Sequence, residues 1–401
     1  MSNAVATPCR TLGPVREFVD EQTGRVVRQL TGFKAGAHLG YFRMFRQLPD
    51  GRMLGWARHD HGNAILIEPA SGEIELLPGR FWSLKLRESD GRNWYVQSES
   101  ADTPVAGGKR RPAQLWHVDL PDGQPVLDAV IADDLPGVVE DITIDGQYLI
   151  LRETNQDLTA CPIPTTHDVE SINRYFSRPR DGAIWTYHIA SGRTECIFRS
   201  SAVCPLHLDT SPVDPTLLRY CMDMPETQGQ RIWTSRIDGS ERRAIRPQAR
   251  GELVTHAFWW ADGNHIGYTY PDRRNDPTVL THHWAEYALA DTRLGIADPH
   301  GREVYLSDPL NCYHTHLYRS SDGRLICGEG TERHSHVYAA TFSMRRTRID
   351  MVPLATVHTR YVPFRGQGVD CSFSADGRWL IYADKLADTL PHQLFAVAVD
   401  L

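Results

Sequence analysis

The sequence lacks several features that define common classes of protein. No apolar run in its 401 residues approaches the length of a membrane-spanning helix, and the N-terminal MSNAVATPCRTLG has neither a basic start nor an apolar core. The 8 cysteines are dispersed without a Cys-x-x-Cys pair, which favours reduced thiols over a disulfide framework. These absences predict a cytoplasmic protein without a membrane partner.

Clustered positive charge is also lacking. The net charge is −7, and the lysines and arginines are scattered along the chain instead of clustering. A nucleic-acid-binding protein normally carries a basic patch, so no nucleic-acid partner is expected. The chain also has no Gly-x-Ser-x-Gly motif, which argues against a hydrolase domain with a serine nucleophile.

What the sequence does contain is a repeated turn. A short polar turn, usually Asp-Gly, is followed by a burst of strand-forming residues, and glycine favours such hairpin turns because it accepts positive φ. The copies are Asp50-Gly51, Asp90-Gly91, Asp145-Gly146, Asp262-Gly263, Asp322-Gly323 and Asp376-Gly377, with a degenerate copy at Asp214. Their spacing of roughly 40 to 70 residues is the period of propeller blades with unequal loops.

These repeats predict an all-β fold, a seven-bladed β-propeller that uses residues 1–401 as one domain. We expect four strands in each blade. The N-terminal RVVRQLT is expected to supply the outer strand of the last blade, whose other strands lie in CSFSA, WLIYAD and LFAVAV, because this join removes an exposed sheet edge. One helical piece is predicted over 169–179.

Histidine is abundant, with 18 copies, and several precede the strand-turn unit of a blade. They are His38, His207, His256, His314 and His316. The first residue of an inner strand lies near the central channel, so these imidazoles are expected around one axial pocket. Any one of them could be structural, but their recurrence favours a metal or proton-transfer site.

Two segments carry a resemblance to a known family. They are RQLTGFKAGAHLGYFRMFRQLPDGRMLGWARHDHGNAILIEPASGEIELLPG and RYCMDMPETQGQRIWTSRIDGSERRAIRPQARGELVTHAFWWADGNHIGYTY. Both resemble bacterial oligogalacturonate lyases, in the His-x-x-Tyr-Phe, Arg-x-Trp and Thr-His-x-Phe-Trp motifs. The resemblance implies a seven-bladed propeller that splits short pectin-derived uronides by β-elimination, with an arginine, a histidine base and a divalent metal, typically manganese.

By this resemblance, His256 is the base and Arg231 the catalytic arginine. β-Elimination removes the C5 proton of a uronate, and a cation on the adjacent carboxylate stabilises the developing enolate. His38 and His207 are expected to bind the substrate, and Tyr41 and Trp259 could stack on sugar rings. Aromatic residues of propellers are more often part of the core, so that alternative stays open.

The metal motif departs from the family pattern. His316 matches the family histidine, and Gln367 aligns with the family glutamine, but Asp370 stands where a histidine is expected. His314 could complete the ligand set, because residues two apart share one face of a strand. Such ligands suit a hard divalent ion such as Mn²⁺ or Ca²⁺. Alternatively the ion is lost, and Asp370 caps a turn or pairs with Arg365.

Two hypotheses follow. The first is a cytoplasmic lyase that acts on imported oligouronides, and the second is a non-catalytic propeller of the TolB or WD type that binds a glycan or protein partner. A binding scaffold needs neither an Arg–His pair nor clustered histidines at its channel, so the side chains of that face discriminate between them.

Overall fold

A computed structural model of the protein describes residues 11–60, 62–79, 83–98, 113–131, 135–154, 181–223, 230–248, 254–272, 291–311, 316–329, 335–359, 368–387 and 389–401. Every helix or strand assigned within these ranges is a β-strand. The segment 169–179, for which a helix was predicted, lies outside them. No helix of the described part of the chain is long and apolar enough to cross a membrane.

The strands are numbered β1 to β30 in chain order. The first half comprises β1 (Thr11–Leu12), β2 (Arg16–Val19), β3 (Val26–Gln29), β4 (Ala37–His38), β5 (Met53–His59), β6 (Gly62–Glu68), β7 (Glu73–Leu77), β8 (Ser83–Arg87), β9 (Arg92–Ser98), β10 (Ala113–Asp119), β11 (Val126–Ile131), β12 (Val138–Ile142), β13 (Tyr148–Thr154), β14 (Gly182–His188) and β15 (Arg193–Ser200). The second half comprises β16 (Cys204–Thr210), β17 (Leu217–Asp223), β18 (Ile232–Arg236), β19 (Arg243–Ala244), β20 (Thr255–Trp259), β21 (Ile266–Asp272), β22 (Asp291–Ala297), β23 (Glu303–Leu306), β24 (Leu317–Arg319), β25 (Leu325–Glu329), β26 (His336–Thr341), β27 (Val352–Thr356), β28 (Ser372–Phe373), β29 (Trp379–Asp384) and β30 (Gln393–Ala398).

The described strands form seven antiparallel sheets arranged as a ring, which confirms the predicted all-β, seven-bladed β-propeller. Blades 2 to 6 are the four-stranded sheets that begin with β8, β12, β16, β20 and β24. Blade 1 has the order β1-β7-β6-β5-β4, and blade 7 has the order β2-β3-β30-β29-β28. The expectation of four strands in every blade is therefore wrong for these two blades, because the N-terminal segment adds β1 to the first and β2 outside β3 in the last.

The ring is closed by pairing between the two ends of the chain. Strand β3 lies antiparallel to β30, with Val27 opposite Val397 and Gln29 opposite Phe395. The free edge of β30 is thus covered by residues from the N-terminal segment, as a propeller requires if it is not to expose an unpaired strand.

The core lies between successive blades. The run AILI of β6 shows why: Ile65 and Ile67 pack against blade 7, while Ala64 and Leu66 pack against blade 2. Side chains alternate between the two faces of a strand, and both faces are buried here. A continuous apolar run, instead of an alternating one, therefore marks the central strands of a blade.

Blade 1 departs from regular pairing at its innermost strand. His38 pairs with Trp56, and Arg46 accepts the hydrogen bond of the Leu54 amide, so the intervening chain leaves the sheet. We call residues 39–46 the channel segment. The chain turns at Gly40, whose φ is +78°, and an added Cβ there would lie 2.8 Å from Met44 Sδ. Glycine is therefore required where the chain turns into the channel.

Candidate functional site

Four neighbouring blades place a polar side chain at the same structural position. In blades 4 to 7, a backbone hydrogen bond closes the hairpin between the first two strands. The amides that donate these bonds belong to Ser211, Trp260, Ser320 and Ser374. Four residues before each of these stand His207, His256, His316 and Asp370. Because the inner strands of a propeller run in one direction, these positions lie at one end of the channel, which we call the mouth.

The backbone at the mouth is strained. Among the described non-glycine residues, those with positive φ are Glu241 and three of the mouth residues, His207 at 53°, His256 at 47° and Asp370 at 45°. The strand pairing of blades 4 and 5 is interrupted beside His207 and His256. A non-glycine residue in this region costs about 1–3 kcal/mol, and such residues concentrate at functional sites. The strain redirects these side chains out of the regular strand alternation.

The channel segment lies on the axis among these residues. The Phe42 ring stacks on the His316 imidazole at 4.4 Å between centroids, and the Phe42 amide donates to Asp370 Oδ1 at 2.9 Å. The Tyr41 ring stacks on His207 at 5.3 Å, and its hydroxyl lies 3.5 Å from His316 Nε2. One segment of blade 1 thus contacts blades 4, 6 and 7, which is possible only inside the channel.

The two histidines of blades 5 and 6 lie side by side. The His256 and His316 rings are 4.5 Å apart between centroids, with their planes at 73°. His316 is buried, with 4% of its surface exposed, whereas His256 is half-buried. Of the two imidazoles, His256 is therefore the one that a ligand in the mouth can reach more readily.

A buried carboxylate organises blades 6 and 7. Glu329, at the end of β25 and 2% exposed, accepts hydrogen bonds from His316 Nδ1 through Oε1 and from the Asp370 amide through Oε2, the latter at 2.6 Å. A carboxylate can only accept here, so the proton of His316 lies on Nδ1 and Nε2 faces Tyr41. Glu329 therefore sets both the orientation of His316 and the backbone of Asp370.

The charges of this cluster shift the pKa values of His316 and Asp370. Burial lowers the pKa of His316, but the charge of Glu329 and its hydrogen bond outweigh burial and hold that pKa above its ordinary value. Burial and the charge of Glu329 raise the pKa of Asp370 to about 6, against the opposing charges of His316 and Arg46. Two carboxylates so close together cannot both ionise freely in a buried site.

The other side of the mouth holds a buried ion-pair cluster. Arg219 Nη2 lies 2.6 Å and Arg43 Nη1 3.2 Å from Asp209 Oδ2. The neighbouring pair joins Lys85 Nζ to Asp141 Oδ2 at 2.9 Å. Burial raises the pKa of Asp209, but the charges of Arg219 and Arg43 outweigh it and hold that pKa below the ordinary value. Asp209 is thus a permanent anion shared by two guanidinium groups.

Arg231 belongs to this cationic region. It lies just before β18, is 7% exposed, and its Nη2 approaches Cys221 Sγ at 3.4 Å. Burial lowers the pKa of His207 well below its ordinary value, and the charges of Arg43, Arg219, Arg231 and Arg152 lower it further. His207 is therefore a neutral imidazole in a field of four arginines.

Comparison with known proteins places this geometry in context. No protein-family model matches the chain. A curated oligogalacturonide lyase of Pectobacterium atrosepticum is 27% identical over 130 residues, which are 30% of this chain and 28% of that protein. In fold, an oligogalacturonate lyase in complex with manganese has a TM-score of 0.71 at 19% identity, covering 98% of each chain. The oligogalacturonate lyase of Vibrio parahaemolyticus has a TM-score of 0.70 at 19% identity, covering 98% of this chain and 99% of that one.

The chain resembles oligogalacturonate lyases. The resemblance expected from the sequence motifs is thereby confirmed, and so is the fold. The sequence match spans less than a third of the curated relative.

Two of the residues expected to bind substrate have structural contacts. His38 does not share the position of the other mouth histidines: it lies on β4, stacks on Trp56 at 6.0 Å and accepts the Gly40 amide through Nδ1 at 3.1 Å. Trp259 is 1% exposed in the core between blades 4 and 5, so its ring has no accessible face for a sugar. We correct Trp259 to a core residue. The predicted ligands His314 and Gln367, like Arg365, lie outside the described residues.

Several residues of the mouth were missed by sequence reasoning. Glu329 had a visible signal, because it ends the otherwise apolar strand LICGE, where a charged residue needs a buried partner. Arg43 and Arg46 had a weaker one, since they alternate with aromatic residues in YFRMFR. Asp209 and Lys85 gave none, because Asp209 meets Arg43, and Lys85 meets Asp141, from one blade to another.

Proposed function

We propose that this protein is a uronide lyase that cleaves short oligogalacturonides by β-elimination. The observation that carries the proposal is the composition of the mouth. The His207 and His316 rings contact Tyr41, the His256 ring contacts His316, and buried guanidinium groups lie near His207. A polyanionic sugar needs cations to bind, and its C5 proton needs a base of near-neutral pKa to remove it. Both kinds of group converge at this mouth.

In this proposal His256 removes the C5 proton and Arg231 binds the carboxylate on the same carbon. The C5–H electrons form the C4–C5 double bond, and the C4–O bond breaks with the electron pair leaving on the glycosidic oxygen. A buried guanidinium stabilises the enolate because it is charged at every relevant pH and acts in a low dielectric. His207 stays neutral and can accept a hydrogen bond from a sugar hydroxyl. Tyr41 offers an aromatic ring at the centre of the mouth.

The mouth also offers ligands for a divalent ion. No three histidine, cysteine or acidic side chains of the described residues converge as a metal site. His316 Nε2 and the Asp370 carboxylate are two donors of suitable chemistry, and Glu329 orients His316 as a carboxylate orients a metal-bound imidazole. We propose that these two, with His314 and Gln367, would hold Mn²⁺ or Ca²⁺. Such an ion would neutralise the uronate carboxylate.

The alternative is a non-catalytic propeller that binds a glycan or protein partner. A binding face has no need of histidines with a strained backbone, of two imidazoles in contact, or of buried guanidinium groups. These features favour the lyase. We also propose that the protein acts in the cytoplasm on imported oligosaccharides, since its dispersed cysteines suit a reducing compartment and the five described ones are free.

The test is incubation of the purified protein with di- and trigalacturonate and with uronides of other linkages. β-Elimination creates a C4–C5 double bond conjugated with the carboxylate, so the product gains ultraviolet absorbance that hydrolysis would not give. Mass spectrometry of the products checks that no water has been added. Binding of the sugars without any gain in absorbance would support the non-catalytic alternative.

A further inference from the structure

The mouth has a second compartment that the reaction described above does not use. A cavity of ≈ 140 Å³ opens on the side of Tyr41 that faces blades 2 to 4. Its charged lining comes from Arg43, Lys85, Glu140, Asp141 and Asp209. Pockets for whole drug-sized ligands measure about 300–1,000 Å³, so this cavity suits a single sugar ring.

The position of the cavity is beside the proposed reaction site. Ser83 is the first residue of β8, and Glu140 and Asp209 lie in the inner strands β12 and β16, so the lining belongs to the mouth. Tyr41 lines the cavity and also contacts His316. The Tyr41 ring therefore stands between the two compartments.

The charges of the cavity do not cancel. Lys85 pairs with Asp141, and Glu140 pairs with Arg152 at 2.7 Å. Asp209 is shared by Arg43 and by Arg219. Arg152 and Arg219 lie outside the lining, and with them the lining and its ion-pair partners carry one positive charge in excess. The excess charge makes the compartment attractive to an anion.

Arg43 is the arginine able to use that charge. Its contact with Asp209 is the longer one, 3.2 Å against 2.6 Å for Arg219, and its side chain is 16% exposed against 1%. Its Nε has no hydrogen-bond partner among the described residues. A planar guanidinium with donors to spare is the group that best matches a carboxylate.

We propose that this cavity binds the uronate ring that does not undergo elimination, and that Arg43 binds the carboxylate of that ring. The inference rests on the proposed function. It makes Arg43 a specificity-determining residue, which selects substrates whose two adjacent rings are both uronates. The depressed pKa of His207, to which Arg43 contributes, agrees with a net positive potential beside the cavity.

The test compares two substrates with four proteins. The substrates are digalacturonate and the same disaccharide methyl-esterified only on the non-reacting ring. The proteins are the wild type, Arg43→Gln, Arg43→Lys and the control Arg378→Gln, which removes an arginine that is 82% exposed on a surface turn. The methyl ester cannot form the charge-assisted hydrogen bond that the free carboxylate forms with Arg43. The wild type and the control should therefore prefer the diacid in kcat/KM by about 10- to 100-fold.

In Arg43→Gln the preference should fall to nearly 1, through loss of activity on the diacid with little change on the ester, and Arg43→Lys should restore part of it. An equal loss on both substrates in Arg43→Gln would overturn the proposal and leave Arg43 a purely structural partner of Asp209. Equal use of diacid and ester by the wild type would also overturn it, whether or not the variants fold.

Calorimetric titration of the wild type with both disaccharides separates this inference from the proposed function. If the protein cleaves neither sugar but binds the diacid more tightly than the ester, the lyase proposal fails and the carboxylate subsite stands. If it cleaves both but binds them equally, the lyase proposal stands and the subsite fails.

Discussion

Glu329 offers a sharp test of how the mouth is built. Its carboxylate is 2% exposed, and its two oxygens accept from His316 Nδ1 and from the Asp370 amide. Replacement by alanine removes both acceptors. Replacement by glutamine keeps one acceptor but turns an NH₂ group toward the other donor. Both variants should destabilise the protein, and alanine should do so more.

The size of the effect follows from the two donors. A buried donor left without an acceptor costs about 1–3 kcal/mol, so Glu329→Ala should lose about 2–6 kcal/mol and Glu329→Gln about half of that. An unfolding entropy of about 2.1 cal/mol/K per residue over 401 residues makes 1 kcal/mol worth about 1 °C in Tm. Tm should therefore fall by about 2–7 °C in Glu329→Ala and by about 1–4 °C in Glu329→Gln.

Differential scanning calorimetry of both variants measures this loss. The matched control is Glu195→Gln, which breaks an ion pair with Arg193 on the surface, where the two side chains are 53% and 75% exposed. Such a pair contributes about 0–1 kcal/mol, so Tm should move by about 1 °C or less. If Glu329→Ala behaved like Glu195→Gln, the carboxylate would not hold these two donors, and the account of how His316 is oriented would be wrong.

Three further predictions concern the base, a pH dependence and the metal. His256→Ala should lower kcat by about 100-fold or more with a smaller change in KM, measured on a cleaved uronide; near-full activity would exclude His256 as the base. Burial, followed by the charges of Arg46 and His392, lowers the pKa of His38 from 6.5 to about 4, so its contribution to stability is complete above pH 6.5 and is lost as pH falls through about 4. Between pH 6.5 and 4 the free energy of unfolding of the wild type, measured in urea, should fall by up to about 3 kcal/mol more than that of His38→Gln. Equal pH profiles of the wild type and His38→Gln would contradict the assignment. Chelation with EDTA should remove a divalent ion found by elemental analysis and abolish activity, whereas an active, metal-free enzyme would leave Arg231 and its neighbours as the only electrophiles.

The sequence by itself determined the ring of blades. Each Asp-Gly pair forces a hairpin because its glycine adopts positive φ, as at Gly263 and Gly377. Strands such as β6, which contains AILI, are apolar on both faces. Each face must therefore be covered by a neighbouring blade, and a closed ring of sheets provides this cover. The extra strands β1 and β2 escaped prediction because short edge strands carry little pattern of their own.

The sequence also determined which inner strands carry histidine at the mouth. His207, His256 and His316 each lie the same number of residues before the hairpin turn of their blade. Because the blades repeat one structure, equivalent sequence positions lie at the same end of the channel. His38 was misjudged as a fourth member because the channel segment follows it. No local pattern marks where a chain leaves its sheet.

Only the tertiary structure decided how these histidines are supported. Glu329 reaches His316 and Asp370 across two blades, and Arg43 reaches Asp209 from blade 1 to blade 4. Such contacts between blades depend on three-dimensional closure of the ring. Arg43 and Asp209, for example, are separated by more than a hundred residues along the chain. The physical reason is that a buried charge is stable only beside a partner, and the sequence states that a partner is needed without stating which residue it is.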